Sequence, residues 1–184
     1  MPNSTEHDSV VGATRRWLEK AVIGLNLCPF AGVPWRQGRI RLRVSEAAGL
    51  QQLAEDLADE LLALNEVDPA ECETTLLIHP RVLGDYLDYN DFLDIADELL
   101  EQLKLDGIIQ IASFHPDYQF ADSPPDDPAN CTNRSPYPML HLLREASIEA
   151  ATANHPDPDA IYARNIETLR ALRMDGWKDL IGSG

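Results

Sequence analysis

The chain has 184 residues, of which 44% are hydrophobic and 25% charged, and this composition suits one domain with its own core and excludes a fibrous or wholly disordered protein. It carries 31 acidic against 15 basic residues, a formal net charge of −16. Because a negative field repels phosphate backbones and anionic membrane surfaces, we expect neither nucleic acids nor membranes among its partners.

The N-terminus and the cysteines predict a cytoplasmic protein. The first residues are polar and lack the basic start and apolar run of a signal peptide. Cys28, Cys72 and Cys131 are widely spaced and form no C-x-x-C pair, which argues against a disulfide framework and a zinc site. Common nucleotide-binding and hydrolase motifs are missing from the sequence. The sequence therefore indicates no metal and no particular cofactor, and it leaves the oligomeric state open.

The N-terminal part predicts a tail, a helix and a loop. Residues 1–8 read as a flexible tail before a single domain at residues 9–178. Apolar positions recur at helical spacing over residues 10–25, and the helix should end before Pro29. Residues 28–35 then predict an apolar loop, because prolines and a glycine interrupt regular structure there.

The middle of the chain alternates strands with helices. Residues 38–44 alternate apolar and arginine side chains, the pattern of a half-buried strand, and residues 46–64 predict an amphipathic helix. The continuous β-rich run 74–78 and the continuous apolar run 108–112 predict strands covered on both faces. A second amphipathic helix, at residues 85–103, separates these two strands.

The last third begins with a polar loop at residues 116–136, rich in proline and aspartate. Loops of this length are usually functional or disordered. Helices are predicted at residues 137–151 and from Pro158 to about Arg173, followed by a flexible tail at 179–184.

This order of elements predicts an α/β fold. We expect a two-layer or three-layer sandwich around a small, mostly parallel sheet of about three strands, with the order helix-strand-helix-strand-helix-strand-helix-helix. A ferredoxin-like α+β fold is the alternative.

Two predicted strands end in the same dipeptide, His79-Pro80 and His115-Pro116. Parallel strands would bring both histidines to one edge of the sheet, where ligands bind in open α/β folds. We interpret His115 as a candidate acid or base and His79 as a candidate binding residue. The alternative is that His-Pro only terminates each strand in extended geometry.

The polar loop ends in a run of hydrogen-bonding side chains next to the predicted helix at 137–151. Arg134 is a candidate clamp for an anion, and Asn130, Asn133 and Ser135 are candidate binding residues. Cys131 is a candidate nucleophile. The alternative is an elaborate helix cap with a solvated arginine.

On the predicted helix, His141, Arg144 and Glu145 would share one face. We interpret His141 as a second candidate catalytic residue and Arg144 as a candidate binding residue, with a solvated helix face as the alternative. Cys28 is the other candidate nucleophile, although its apolar neighbours also fit a buried structural thiol.

Four segments carry a family resemblance: IGLNLCPF (23–30), TTLLIHP (74–80), IIQIASFHPDYQF (108–120) and NCTNRSPYPMLHLLREAS (130–147). They resemble the bacterial family labelled domain of unknown function 1415. That label carries no activity, so the resemblance implies no role for any residue.

Three functional hypotheses follow from the sequence. The first is an enzyme that acts on a small anionic metabolite through the segment 113–145. The second is a non-catalytic binding or sensor protein that uses the same crevice. The third is an interaction module whose acidic helices bind a basic partner.

Overall fold

The centre of the protein is a four-stranded mixed sheet. The structure, a computed structural model, describes residues 4–182. Within them the strands are β1 (Ile40–Val44), β2 (Thr74–Ile78), β3 (Ile109–Phe114) and β4 (Met139–Arg144), in the spatial order β1-β2-β4-β3. β1 pairs with β2 in parallel, whereas β4 is antiparallel to both of its neighbours. The predicted sheet therefore lacked one strand, and its mostly parallel pairing was wrong.

Helices account for most of the remaining chain. They are α1 (Ser4–Trp17), a π-helical segment (Leu18–Ile23), α2 (Gly32–Arg36), α3 (Leu50–Glu66), α4 (Tyr86–Gln102), a 3₁₀ helix (Pro128–Asn133), α5 (Glu145–Ala153) and α6 (Asp159–Ile181). None of the helices within residues 4–182 is long and apolar enough to cross a membrane.

The two ends of the chain are more helical than predicted. α1 begins at Ser4 and α6 continues to Ile181, so helix replaces part of both predicted tails. Residues 1–3 and 183–184 of those tails lie outside the described residues. The predicted end of the last helix coincides with an interruption of α6 at Arg173, where φ is 63° and ψ is 165°. The loop predicted at 28–35 contains most of the short helix α2.

Helices cover both faces of the sheet. On one face α3 and α4 pack through Leu57, Leu61 and Phe92 against strand side chains such as Leu77 and Leu142. On the other face α1 and α6 pack through Trp17, Leu169 and Trp177 against side chains that include Leu76 and Met139. This arrangement is a three-layer α/β/α sandwich. It does not match the ferredoxin-like alternative, in which helices lie on one side of an antiparallel sheet.

The helix predicted at residues 137–151 was wrong, because its first half is the strand β4 and only Glu145–Ala153 is helical. Leucine, methionine and arginine favour a helix when the residues are considered alone. In the folded chain this segment lies between β2 and β3 and pairs with both, so long-range backbone pairing overrides local propensity. Consequently His141 and Arg144 point to opposite faces of the sheet instead of sharing a helix face.

Candidate ligand-binding cavity

A cavity of about 460 Å³ lies on the α1 side of the sheet. Its floor is formed by strand side chains, including Leu76, Ala112 and Leu143. Its walls come from the end of α1 with the π-helical segment, from residues 28–34, and from α5. Most of the lining side chains are apolar, and the polar ones are Arg39, Glu73, Thr74, His141, Arg144 and Ser147. The volume is within the range of small-molecule sites in proteins, roughly 300–1,000 Å³.

His141 is the imidazole in the floor of this cavity. It lies on the central strand β4, directly opposite Leu76 of β2 and Ala112 of β3. Side chains directly opposite one another on a sheet are close neighbours. Because the side chain of Ala112 is a single methyl group, it leaves room beside the imidazole ring.

A hydrogen-bond chain fixes the tautomer of His141. The Thr74 hydroxyl donates to the Leu142 carbonyl at 2.5 Å, which uses its only proton. At 2.8 Å from His141 Nε2, the same hydroxyl oxygen must therefore accept a hydrogen bond from Nε2–H. The lone pair of the neutral ring is then on Nδ1. Nδ1 has no hydrogen-bond partner within the described residues. It is also not fully buried, so it is open to the cavity that His141 lines.

The apolar surroundings keep His141 uncharged. Burial lowers the pKa of His141 from 6.5 to about 4, because a low-dielectric environment disfavours the protonated ring. At neutral pH the ring therefore presents Nδ1 to the cavity as a hydrogen-bond acceptor.

Aromatic and sulfur-containing side chains form part of the cavity wall. Trp17 is held by an indole hydrogen bond to the Arg134 carbonyl at 3.0 Å, and its ring meets Phe114 edge-on at 5.3 Å. Phe30 contacts His155 beyond α5 in the same edge-on manner at 5.8 Å. Cys28 is half-buried in this wall. Burial raises the pKa of the Cys28 thiol, and hydrogen bonds with the backbone of Phe30 and Ala31 oppose this only in part. A raised pKa disfavours the thiolate that a nucleophile needs, and the nucleophile role of Cys28 stays a prediction.

Two arginines line the cavity, and a terminal nitrogen of each guanidinium group has partners, whereas Nε of Arg144 is buried and has none within residues 4–182. Arg39 forms an ion pair with Glu73 and donates to the Gln37 side chain. Arg144 donates to three main-chain carbonyls, those of Leu64, Val67 and Cys72, at 2.7–3.0 Å. These carbonyls belong to the α3 side of the sheet, opposite His141. Arg144 therefore ties α3 and its following loop to β4.

The two His-Pro motifs lie on one edge of the sheet, as predicted, because β2 and β3 are both antiparallel to β4. His79 and His115 flank the ring of Tyr89, at centroid distances of 5.9 and 5.0 Å. Both histidines are completely buried, however, and burial lowers the pKa of each, to about 4 for His79.

The ring nitrogens of these histidines face the backbone. His115 Nε2 is 3.0 Å from the Leu83 carbonyl, and its Nδ1 accepts from the Asp117 amide at 3.0 Å. His79 Nδ1 is 3.1 Å from the Val82 carbonyl. Nε2 of His79 is buried and has no partner within residues 4–182. These contacts make both histidines part of the core that joins the sheet to α4.

The polar side chains predicted as an anion site also bond to the backbone. Arg134 donates to the Tyr118 carbonyl at 3.0 Å and to the Pro125 carbonyl at 2.8 Å. Asn130 accepts from the Phe120 amide and donates to the Pro124 carbonyl. Asn133 donates to the Ser113 carbonyl and Ser135 to the Tyr137 carbonyl. Together these bonds fold the long loop against the sheet.

The other predicted nucleophile, Cys131, is buried beneath the same loop. Its Sγ lies 3.6 Å from the Met174 sulfur. Burial raises the pKa of Cys131 to about 11, and the nearby Arg134 guanidinium offsets only part of that effect. The roles predicted for His115, Arg134 and Cys131 stay predictions. In the structure these side chains contact the backbone or other buried side chains.

Of the residues predicted as a site, the cavity brings together only His141, Cys28 and part of Arg144. Sequence reasoning missed Thr74, Ala112 and the apolar walls. The unusual concentration of apolar residues at 28–35 was the signal for one wall, since a surface loop is ordinarily polar.

Comparison with protein-family models gives one match, described as "Protein of unknown function (DUF1415)", over residues 9–179. The resemblance predicted from the four sequence segments is thereby confirmed. Comparisons with curated proteins and with solved structures gave no match.

Proposed function

The chain belongs to the DUF1415 family, and we propose that it binds a small, largely apolar molecule in the cavity above β4. The single observation that carries this proposal is the open Nδ1 of His141 in a mostly apolar cavity of about 460 Å³. Binding sites for small molecules commonly combine such an apolar lining with a few precisely placed polar groups.

The cavity favours a neutral ligand with one hydrogen-bond donor. Uncharged His141 offers an acceptor, so its partner must be a hydroxyl, an N–H or a similar donor. The charge of Arg39 is balanced by Glu73, and the Arg144 guanidinium lies on the other side of the sheet. The small anionic ligand predicted from the sequence therefore has weaker support than a neutral one.

An enzyme that uses His141 as a base is the second candidate function. The hydrogen bond from Nε2 to Thr74 favours it, because an oriented imidazole with a fixed tautomer is a common acid–base group. The low pKa of His141 favours a binding role over a catalytic one. General bases work best when their pKa lies near the operating pH, and burial lowers the pKa of His141 to about 4.

The proposal can be tested with pairs of aromatic compounds that differ only in the donor. 2-Naphthol and 2-methoxynaphthalene form one pair, and indole and 1-methylindole another. We expect the donor-bearing member of a pair to bind wild type more tightly. His141→Phe should remove that preference, weakening the donor-bearing compound by roughly 5- to 150-fold, because one buried hydrogen bond contributes about 1–3 kcal/mol.

His141→Phe is a suitable variant because the ring size is similar and the Thr74 hydroxyl keeps its acceptor, the Leu142 carbonyl. His7→Gln is the matched control, since His7 is an exposed histidine on α1. Equal affinities for both members of each pair, in wild type and in His141→Phe, would show that His141 does not contact the ligand.

Cys28 provides an independent measure of occupancy. It is the half-buried cysteine of the cavity wall, whereas Cys72 and Cys131 are buried. Native protein treated with a thiol reagent should therefore be modified first at Cys28, which mass spectrometry of peptides identifies. A bound compound should slow that modification, and unchanged rates with every compound that shifts the melting temperature would place binding elsewhere.

A further inference from the structure

A second surface lies on the opposite side of the sheet, between the start of α3 and the first half of α4. It is an open groove of about 480 Å³. We call it the acidic groove and define it by Leu50, Leu83, Asp88, Asp91, Phe92 and Ile95. It shares no lining residue with the cavity above β4.

Apolar side chains are exposed at this groove. Leu50 is 49% and Ile95 39% exposed, and Leu87, on the same face of α4 as Ile95, is 71% exposed. Residues spaced by four on a helix are neighbours on its surface, so Leu87, Asp91 and Ile95 form one row. Exposed apolar side chains that are interspersed with acidic ones offer both apolar contact and charge pairing to a partner.

The polar border is entirely acidic. α4 carries six acidic residues and no basic one, and two of them, Asp88 and Asp91, line the groove at a spacing of three. Neither of these two aspartates forms an ion pair within residues 4–182. Like charges at that spacing repel and destabilise a helix slightly. Positive charge from outside the chain would relieve this repulsion.

A bound metal ion does not account for Asp88 and Asp91, because no three histidine, cysteine or acidic side chains within the described part of the chain are placed to hold a metal ion. Together, the apolar lining and the two unpaired aspartates match a ligand that is both apolar and cationic.

We infer that the acidic groove binds a basic amphipathic segment of a partner protein. Its apolar side chains would pack on Leu50 and Ile95, and its lysines or arginines would pair with Asp88 and Asp91. Helices that lay an apolar face into a groove are a common mode of peptide recognition. Complementary charge supplies specificity and a faster association rate, helped here by the net charge of −16.

The test is selection from a random peptide display library against the full chain at physiological salt. We expect enriched peptides to contain lysine or arginine together with apolar residues spaced by three and four. The affinity of the enriched peptides should fall by roughly tenfold or more in Asp88→Asn/Asp91→Asn, because this variant loses the charge pairing. It should fall several-fold in Ile95→Ser, which loses the apolar contact.

Asp175→Asn/Asp179→Asn is the matched control. It removes the same charge from exposed positions of α6, on the other side of the sheet, and should leave affinity within about twofold of wild type. Thermal unfolding of each variant verifies that the fold is kept. Failure to enrich any peptide, enrichment of peptides without basic residues, or equal weakening in both double variants would overturn the inference, the last because it indicates general electrostatic attraction.

Discussion

Arg134 offers the sharpest test of the difference between a binding role and a framework role. Its guanidinium donates to the carbonyls of Tyr118 and Pro125, at 3.0 and 2.8 Å. Hydrogen bonds from a charged donor typically contribute about 1.5–3 kcal/mol each. Since Pro125 is exposed and its carbonyl can bond to water instead, we expect Arg134→Ala to lower the free energy of unfolding by about 2 kcal/mol.

The measurement is urea denaturation, combined with hydrogen exchange over residues 115–127. Exchange should accelerate there, because the loop loses the side chain that joins its two ends. Arg134→Lys should recover less than half of the stability, since an ammonium cannot reproduce the planar fork that reaches two carbonyls. Arg43→Ala is the control. Arg43 is a half-exposed surface arginine paired with Glu60, and such pairs contribute about 0–1 kcal/mol.

Arg134→Ala with a free energy of unfolding within about 0.5 kcal/mol of wild type, and with unchanged exchange in the loop, would refute the framework role. If an anion then stabilised wild type but not this variant, the clamp predicted from the sequence would be correct instead.

Three further predictions concern the stability of the fold. Tyr89→Phe should cost about 2–3 kcal/mol in urea denaturation, because the buried Tyr89 hydroxyl bonds both the Met139 carbonyl and the Phe114 amide. Burial lowers the pKa of His79 from 6.5 to about 4, so the folded protein binds fewer protons than the unfolded chain between these values. The free energy of unfolding should therefore fall as the pH decreases through this window, by roughly 3 kcal/mol from His79 alone, and less in His79→Gln. EDTA should leave the melting temperature unchanged, since a chain of 184 residues is long enough to form a core without a stabilising metal.

Each of these predictions has an outcome that opposes it. A cost below about 0.5 kcal/mol for Tyr89→Phe would mean that the two backbone groups find other partners. Because many carboxylates also titrate in acid, the informative quantity for His79 is the difference in slope between wild type and His79→Gln, and equal slopes would contradict the predicted linkage. A melting temperature that drops with EDTA and returns with zinc would reveal a metal that stabilises the fold.

Local sequence patterns determined most of the secondary structure. The leucines of α3 recur at helical spacing, and Leu53, Leu57, Leu61 and Leu64 are all completely buried. The β-rich run of β2 is buried at all five positions, as a strand covered on both faces should be. α3 was predictable from the helical spacing of its leucines, and β2 from a short continuous run of residues that favour strands.

The tertiary structure alone decided the rest. β4 reads as a helix from its own residues and becomes a strand because β2 and β3 offer it hydrogen bonds on both sides. The cavity depends on the same strand pairing, since the position of β4 between β2 and β3 places His141 beside Ala112 and within reach of Thr74. Residues so far apart in sequence form no local pattern from which their contact could be predicted. Their proximity follows from strand pairing, which depends on the burial and hydrogen bonding of the whole sheet.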